Sequence, residues 1–275
     1  MMTASAVLAG SFLVATPNAS AFTISMDFDD LPVNGSCEGL GSGRSYVSSE
    51  ESYSGLNACT MWIEEGMTGW GTWGGTVKFP QTLSGGDEIW VRVRVFMPEG
   101  FDYTAPGEGG RLKFLRVRTK TATGDHIGYD DIYLNGPDAD PPYGFIYEGM
   151  GRWQMFGSPE TRPKTGQWET FEWHMRLSSS LTVDEDGALI RFWKNNELLL
   201  ESTQRKTLVS NDDIANYLYI FTYWNGGSPQ TQHLYIDDLV VTTETPPNLD
   251  EYGNPFIGAA LKSSPPKPPT ISGGN

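Results

Sequence analysis

Hydrophobic and polar positions alternate along much of this chain with a period of two, the spacing at which strand side chains fall on opposite faces. Phe22-Thr23-Ile24-Ser25-Met26-Asp27-Phe28 is the first such run. Further strand-like runs cover Glu88 to Met97, Leu112 to Thr119, Tyr143 to Gly149, Trp168 to Leu177, Ala188 to Leu200, Tyr217 to Trp224 and Leu234 to Thr242. Turn chemistry punctuates them at Gly85-Gly86-Asp87, Asn135-Gly136-Pro137, Asp186-Gly187, Lys194-Asn195-Asn196 and Asn225-Gly226-Gly227. The best helical signal is a single turn over Asn211 to Asn216. Strands of this kind between such turns predict an all-β fold, a jelly-roll sandwich of two antiparallel sheets.

The two ends read differently from the middle. Residues 1–21 have the form of a secretory signal peptide: an apolar segment from Ala6 to Ala15, then Pro17 and Ala19-Ser20-Ala21, although no Lys or Arg precedes them. That segment is shorter than the about 20 apolar residues a membrane span needs, and no later stretch approaches this length. Residues 22–245 are then one β-jelly-roll domain. Residues 246–275, with seven prolines in the last 30 positions, form a strap and a disordered tail, with Phe256 and Ile257 docking on the domain. Cys37 and Cys59 follow the signal, and an oxidising compartment favours a disulfide over two free buried thiols. The expected location is secreted or periplasmic, and the expected state a monomer.

Charge sharpens the picture. The formal net charge is -15, from 34 acidic against 19 basic residues, a balance that argues against a nucleic-acid partner. Between Trp90 and Arg118 the sign reverses: Arg92, Arg94, Arg111, Lys113, Arg116 and Arg118 face only Glu99, Asp102 and Glu108. Alternation puts Trp90, Arg92, Arg94 and Phe96 on one side of their strand and Val91, Val93 and Val95 on the other. Arg111, Lys113, Arg116 and Arg118 share a side only if a bulge interrupts their strand. Glu172, His174 and Arg176 alternate against Phe171, Trp173, Met175 and Leu177, and Arg191 and Trp193 against Ile190 and Phe192. Tyr217, Tyr219, Phe221 and Tyr223 line one side of a further strand.

Taken singly, such residues are ordinary paired charges and core rings. Together on one face they suit an acidic polysaccharide: rings meet the C–H surfaces of sugars, and guanidinium groups bind carboxylate or sulfate in bidentate fashion. In this expectation Arg92, Arg94, Arg111, Arg191, Trp193, Tyr147 and Tyr219 bind substrate, with Arg92, Arg94 and Arg191 opening on one concave face.

The segment Trp90-Val-Arg-Val-Arg-Val-Phe-Met-Pro-Glu-Gly-Phe101-Asp102, followed by Gly109-Gly-Arg-Leu-Lys-Phe-Leu115, resembles jelly-roll polysaccharide lyases of the concanavalin A-like class, particularly those related to alginate and glucuronan lyases. Gly166-Gln-Trp168, Asp186-Gly-Ala-Leu-Ile-Arg-Phe-Trp-Lys-Asn195, Phe221-Thr-Tyr-Trp-Asn-Gly-Gly227 and Tyr235-Ile-Asp-Asp238 repeat that fold's order of strands, so the resemblance covers most of residues 24 to 243. It implies cleavage of a uronate polymer by β-elimination. Its Gly-Lys-Leu lysine falls on Arg111, a poor base because guanidinium stays protonated, and Lys113 is the nearby substitute. The Arg-Thr-Glu-x-Arg and Gln-Ile-His strands of another alginate-lyase group are absent.

For such a reaction Lys113, His174, Tyr223 and Arg116 are the candidate catalytic groups, with Tyr219, Tyr147 and the loop residue His126 as further candidates. A retaining hydrolase would need two carboxyl groups about 5 Å apart, for which Glu148 and Glu172 are available without any spacing that demands it. A non-catalytic carbohydrate-binding protein is the rival reading, needing the same groove but no base. No cofactor is required. Asp27, Asp29 and Asp30 near the first strand and Asp237 and Asp238 near the last are either solvated acids or ligands of a structural Ca2+, with Asp27 and Asp238 the first candidates as ligands.

Overall fold

The computed structural model describes residues 21–41, 44–68, 74–104, 111–222 and 224–259. In chain order the first strands are β1 (Thr23–Met26), β2 (Ser45–Ser48), β3 (Ala58–Ile63), β4 (Gly75–Leu83), β5 (Glu88–Phe96) and β6 (Leu112–Lys120). Then come β7 (His126–Leu134), β8 (Tyr143–Tyr147), β9 (Arg152–Phe156), β10 (Trp168–Arg176) and β11 (Leu189–Lys194). Last are β12 (Glu197–Ser202), β13 (Ile214–Ile220), β14 (Gln232–Thr242), β15 (Asn248–Leu249) and β16 (Pro255–Phe256). They make an eight-stranded sheet in the order β12-β11-β10-β5-β14-β3-β2, with β1 added to β14, and a six-stranded sheet in the order β4-β13-β6-β7-β8-β9. The fold is an antiparallel jelly-roll sandwich.

Each sheet turns one side inward. Val91, Val93 and Val95 of β5 meet Phe171, Trp173 and Met175 of β10 on the core side of the larger sheet. Leu115 and Val117 of β6, Ile132 and Leu134 of β7, and Leu218 and Ile220 of β13 do the same for the smaller sheet. Burying side chains of this size is worth about 1.5–3 kcal/mol each, which is why the alternation dictates the register. Among the described residues, β2, β3, β4, β7, β9, β15 and β16 are strands outside the runs read from the alternation. The helical turn expected over Asn211 to Asn216 is instead a turn at Asn211 and Asp212, and β13 already begins at Ile214. The Asn195-Asn196 turn, with φ of 50° and 71°, closes the β11–β12 hairpin in the left-handed geometry that asparagine tolerates.

Cys37 is disulfide-bonded to Cys59 of β3. The chain after β14 folds back as a strap over the outer face of the larger sheet. Trp90 Nε1 donates to Pro255 O at 3.1 Å, Arg92 Nη1 to Gly258 O at 2.8 Å, and Trp193 Nε1 to Asp250 Oδ2 at 2.9 Å. Phe256 stacks on Trp193 with centroids 6.0 Å apart. The Glu172 carboxylate accepts from the Ile257 and Gly258 N–H groups. No helix among the described residues is long and apolar enough to cross a membrane.

Two expectations follow. The Cys37–Cys59 bridge joins residues 22 positions apart, a closure worth about 3 kcal/mol through the unfolded state, so paired Cys→Ser substitution should lower urea-denaturation stability by about that much. Burial raises the Glu172 carboxyl from 4.5 to about 7, against the pull of the Gly258 and Ile257 N–H groups. Between those values the native protein holds a proton that the unfolded chain has released. The stability this group contributes is therefore present in full below pH 4.5 and lost as pH rises to about 7. Glu172→Gln should flatten the dependence of the denaturation midpoint on pH across this window, and an unaltered slope would show that Glu172 does not carry it.

Candidate functional site

The strand carrying Arg111 to Arg118 needs a bulge before its cations can share a face, and the pairing of β6 with β7 shifts register between Lys113 and Leu115. Phe114 and Leu115 both enter the core there. On either side of the shift Lys113, Arg116 and Arg118 face outward, opposite Tyr133, Asp131 and Tyr129 of β7. On the other flank of β6, Tyr219 pairs with Arg116 and Tyr217 with Arg118. Ile146 of β8 and Trp153 of β9 extend the Arg116–Asp131 row to the edge of the sheet.

Arg116 is the centre of this face. Its Nε donates to Asp131 Oδ1, and its Nη2 reaches Asp131 Oδ2 at 3.3 Å and Glu148 Oε1 at 2.8 Å. Tyr133 OH donates to Asp131 Oδ2 at 3.1 Å. The guanidinium also lies 3.7 Å from the centroid of the Tyr129 ring. Burial opposes the charge on Arg116, but Asp131 and then Glu148 outweigh it and hold the guanidinium protonated above its usual range. Lys113 Nζ stands 3.4 Å from the same Glu148 Oε1. Glu148 opens the Glu148-Gly149-Met150-Gly151 turn between β8 and β9, where Gly151 takes a φ of 65°.

Aromatic rings surround the cations. Arg118 lies 4.4 Å over Tyr217, and Arg111 lies 4.6 Å over Trp153, itself 5.0 Å from Tyr133. Tyr129 and Tyr219 meet edge to face at 5.3 Å. Burial, and then the neighbouring Tyr219, raise the Tyr129 hydroxyl to about 12, so it keeps its proton at neutral pH.

The expected single cationic face is in fact two faces on opposite sheets. Lys113, Arg116, Arg111 and Tyr219 come together on the smaller sheet. Arg92, Arg94, His174, Arg191 and Trp193 lie on the outer face of the larger one, which corrects their assignment to the same groove. Arg92 and Arg94 do not open to solvent either. They are 4% and 3% exposed, because the strap covers Arg92, while Asp238, Thr170 and the Tyr53 ring enclose Arg94. His174 is buried, stacked 4.2 Å from Trp90 and hydrogen-bonded to Glu88, and burial lowers its pKa. Arg191 is paired with Glu201 at 2.7 Å. Glu172, on that same sheet, cannot join Glu148 as a carboxyl pair.

Tyr147 also departs from expectation. Its register partner is Asp130, one residue from Asp131, and alternation turns both toward the core. Tyr223 lies outside the described residues, as do most of the signal segment and the tail from residue 260. His126 is exposed at the start of β7, 5.0 Å from the Tyr129 ring. Asp27 is exposed, while Asp238 bonds Arg94 Nε and Ser54 Oγ, and the buried Asp237 accepts three backbone N–H groups. Among the described residues no three His, Cys, Asp or Glu side chains gather as a metal site.

Sequence reasoning missed Asp131, Tyr129, Tyr133 and Trp153. The alternation of Tyr129, Asp131 and Tyr133 in Tyr129-Asp-Asp-Ile-Tyr133 could have shown that face, but the adjacent Asp130 obscures the polar–apolar pattern.

No family model and no curated protein matches the sequence. The fold, however, is shared with solved polysaccharide lyases. Alginate lyase vAL-1 from Chlorella virus is 14% identical, over 72% of this chain and 88% of that one, with a TM-score of 0.53. The endo-β-1,4-glucuronan lyase of the fungus Trichoderma reesei is 12% identical over 80% and 95%, with a TM-score of 0.54. The PL-14 alginate lyase of Aplysia kurodai is 10% identical over 81% and 99%, also at 0.54. At these identities the likeness establishes the jelly-roll fold.

Removing one partner of a buried ion pair leaves the other charge uncompensated, at a cost of about 3–5 kcal/mol. Asp131→Asn should therefore lower the stability of the whole domain by about 3 kcal/mol in chemical denaturation. A loss below about 1 kcal/mol would mean that Glu148 alone satisfies Arg116.

Proposed function

We propose that this protein binds an anionic, uronic-acid-containing polysaccharide along the outer face of its six-stranded sheet and cleaves it there by β-elimination. One observation carries the reading. A chain of net charge -15 gathers Arg111, Lys113, Arg116 and Arg118 on one face, interleaved with Tyr129, Tyr133, Tyr217, Tyr219 and Trp153. Rings stack on sugars, and fixed cations bind their carboxylates. The fold held in common with alginate and glucuronan lyases supports the same reading. The Cys37–Cys59 bridge is compatible with a secreted protein that meets such polymers outside the cell.

In the elimination the C5–H bond breaks and its electron pair becomes the C4=C5 double bond. The C4–O bond to the departing sugar breaks, and that oxygen takes a proton. A cation on the C6 carboxylate stabilises the charge that develops as the C5 proton leaves. Arg116 and Lys113 suit this role. Tyr219, acting as its phenolate, with Arg116 opposite and Arg118 6.0 Å from its ring, is the candidate acceptor of the C5 proton, which restores its hydroxyl. Tyr129 holds its own proton and suits protonation of the leaving oxygen.

Binding without cleavage is the second reading, and Arg111 favours it. It stands where the resemblance places a lysine, and its guanidinium is engaged by Asn135 Oδ1 at 2.9 Å and by the Trp153 ring. The test is to incubate the protein with alginate, glucuronan, ulvan and glycosaminoglycans while following the ultraviolet absorbance of the unsaturated product. Tyr219→Phe should retain polymer binding and reduce turnover about 100-fold or more. Binding without product from any polymer would establish the non-catalytic reading, and absence of binding would refute both.

A further inference from the structure

Glu148 occupies the position on this face that an incoming carboxylate would need. Its Oε1 is 2.8 Å from Arg116 Nη2 and 3.4 Å from Lys113 Nζ. The two cations are 3% and 8% exposed, whereas the glutamate side chain is 31% exposed. The carboxylate thus lies on the solvent side of its partners. Asp131 approaches the same guanidinium from within the sheet and is itself fully buried. Arg116 is therefore bound from below by a structural carboxylate and from above by one that solvent can reach.

The attachment of Glu148 is consistent with exchange. Asp131 sits in mid-strand with Tyr133 holding one of its oxygens, whereas Glu148 leads a four-residue turn containing two glycines. Its backbone N–H is fixed on Tyr129 O at 2.9 Å, so the side chain can leave while the backbone stays. When it leaves, Arg116 keeps Asp131 and the Tyr129 ring, and Lys113 keeps its place 5.9 Å from the Tyr133 ring. Neither cation is then stranded.

We infer that Glu148 is an internal stand-in for the substrate's uronate carboxylate, which must displace it from Arg116 and Lys113 to bind. The inference rests on the function proposed above. It makes Glu148 a specificity-determining residue: a neutral sugar gains nothing by displacing it, and a uronate replaces one charged contact by another of the same kind.

The test is calorimetric titration of glucuronan and alginate oligosaccharides, with a neutral β-1,4-glucan oligosaccharide as control, into wild type, Glu148→Gln and Glu148→Ala at fixed ionic strength. Thermal unfolding first establishes that the variants are folded. Both should bind the uronate oligosaccharides about tenfold more tightly than wild type, since the competing charge-assisted contact is gone, with no gain for the neutral control. Equal or weaker uronate binding by both variants overturns the inference. If Arg118→Gln still weakens wild-type binding in that case, the proposed function stands without it. Loss of turnover with unchanged affinity also overturns it, and makes Glu148 a proton-transfer group. Absence of uronate binding by wild type and both variants defeats the inference and the proposed function together.

Discussion

The outer face of the six-stranded sheet depends on how a buried guanidinium is matched. Arg116 is almost wholly withdrawn from water, and an unmatched charge there would cost several kcal/mol. Asp131 matches it across the β6–β7 pairing, and Tyr133 steadies the carboxylate. Because the pair joins neighbouring strands, it ties the orientation of the cation to the sheet itself. Tyr129, Tyr219, Lys113 and Glu148 are then arranged around a charge that does not move. Preorganisation of this kind is what an electrostatic role in binding or catalysis requires.

The two sheets carry similar chemistry to different ends. Each has arginines, a buried glutamate or aspartate, and aromatic rings on its outer face. On the larger sheet the strap meets several of them: Glu172 accepts from two of its backbone N–H groups, Arg92 donates to one of its carbonyls, and Trp193 stacks on its Phe256 ring. That face is a structural interface. On the smaller sheet the same residue types are matched by one another, and Glu148, Tyr217, Arg118 and Trp153 still reach solvent. What distinguishes the candidate site from a support here is what covers it, not which residues compose it.

Much of the fold was legible because the core is built by alternation. The valines of β5, the aromatic side of β10 and the leucines of β6 each declare their inner face in the order of residues. The bulge in β6 was legible only as one of two alternatives, since strict alternation would turn Arg116 and Arg118 away from Arg111 and Lys113, and the register shift between Lys113 and Leu115 decides for it. Strands such as β3 and β7 were not, because buried polar residues such as Thr60 and Asp130 interrupt their pattern. Asp130 has no hydrogen-bond partner for either carboxylate oxygen among the described residues, and burial raises its pKa well above the carboxylate range. A neutral acid in a core position gives no warning in the sequence.

Alternation and turn spacing specify the all-β sandwich, an oxidising context favours the Cys37–Cys59 bridge that the structure contains, and the local charge reversal signals a cationic, aromatic face in an acidic chain. The identity of the cations on that face follows from long-range contacts instead. Arg92 and Arg116 sit in strands of the same character, 24 positions apart, and alternation tells only that each points away from the core. It does not tell that β5 and β6 belong to opposite sheets, nor that the chain near Gly258 returns to cover one of them. Both depend on contacts between residues far apart in the chain, such as Arg92 with Gly258 and Tyr219 with Arg116, and no local pattern encodes them.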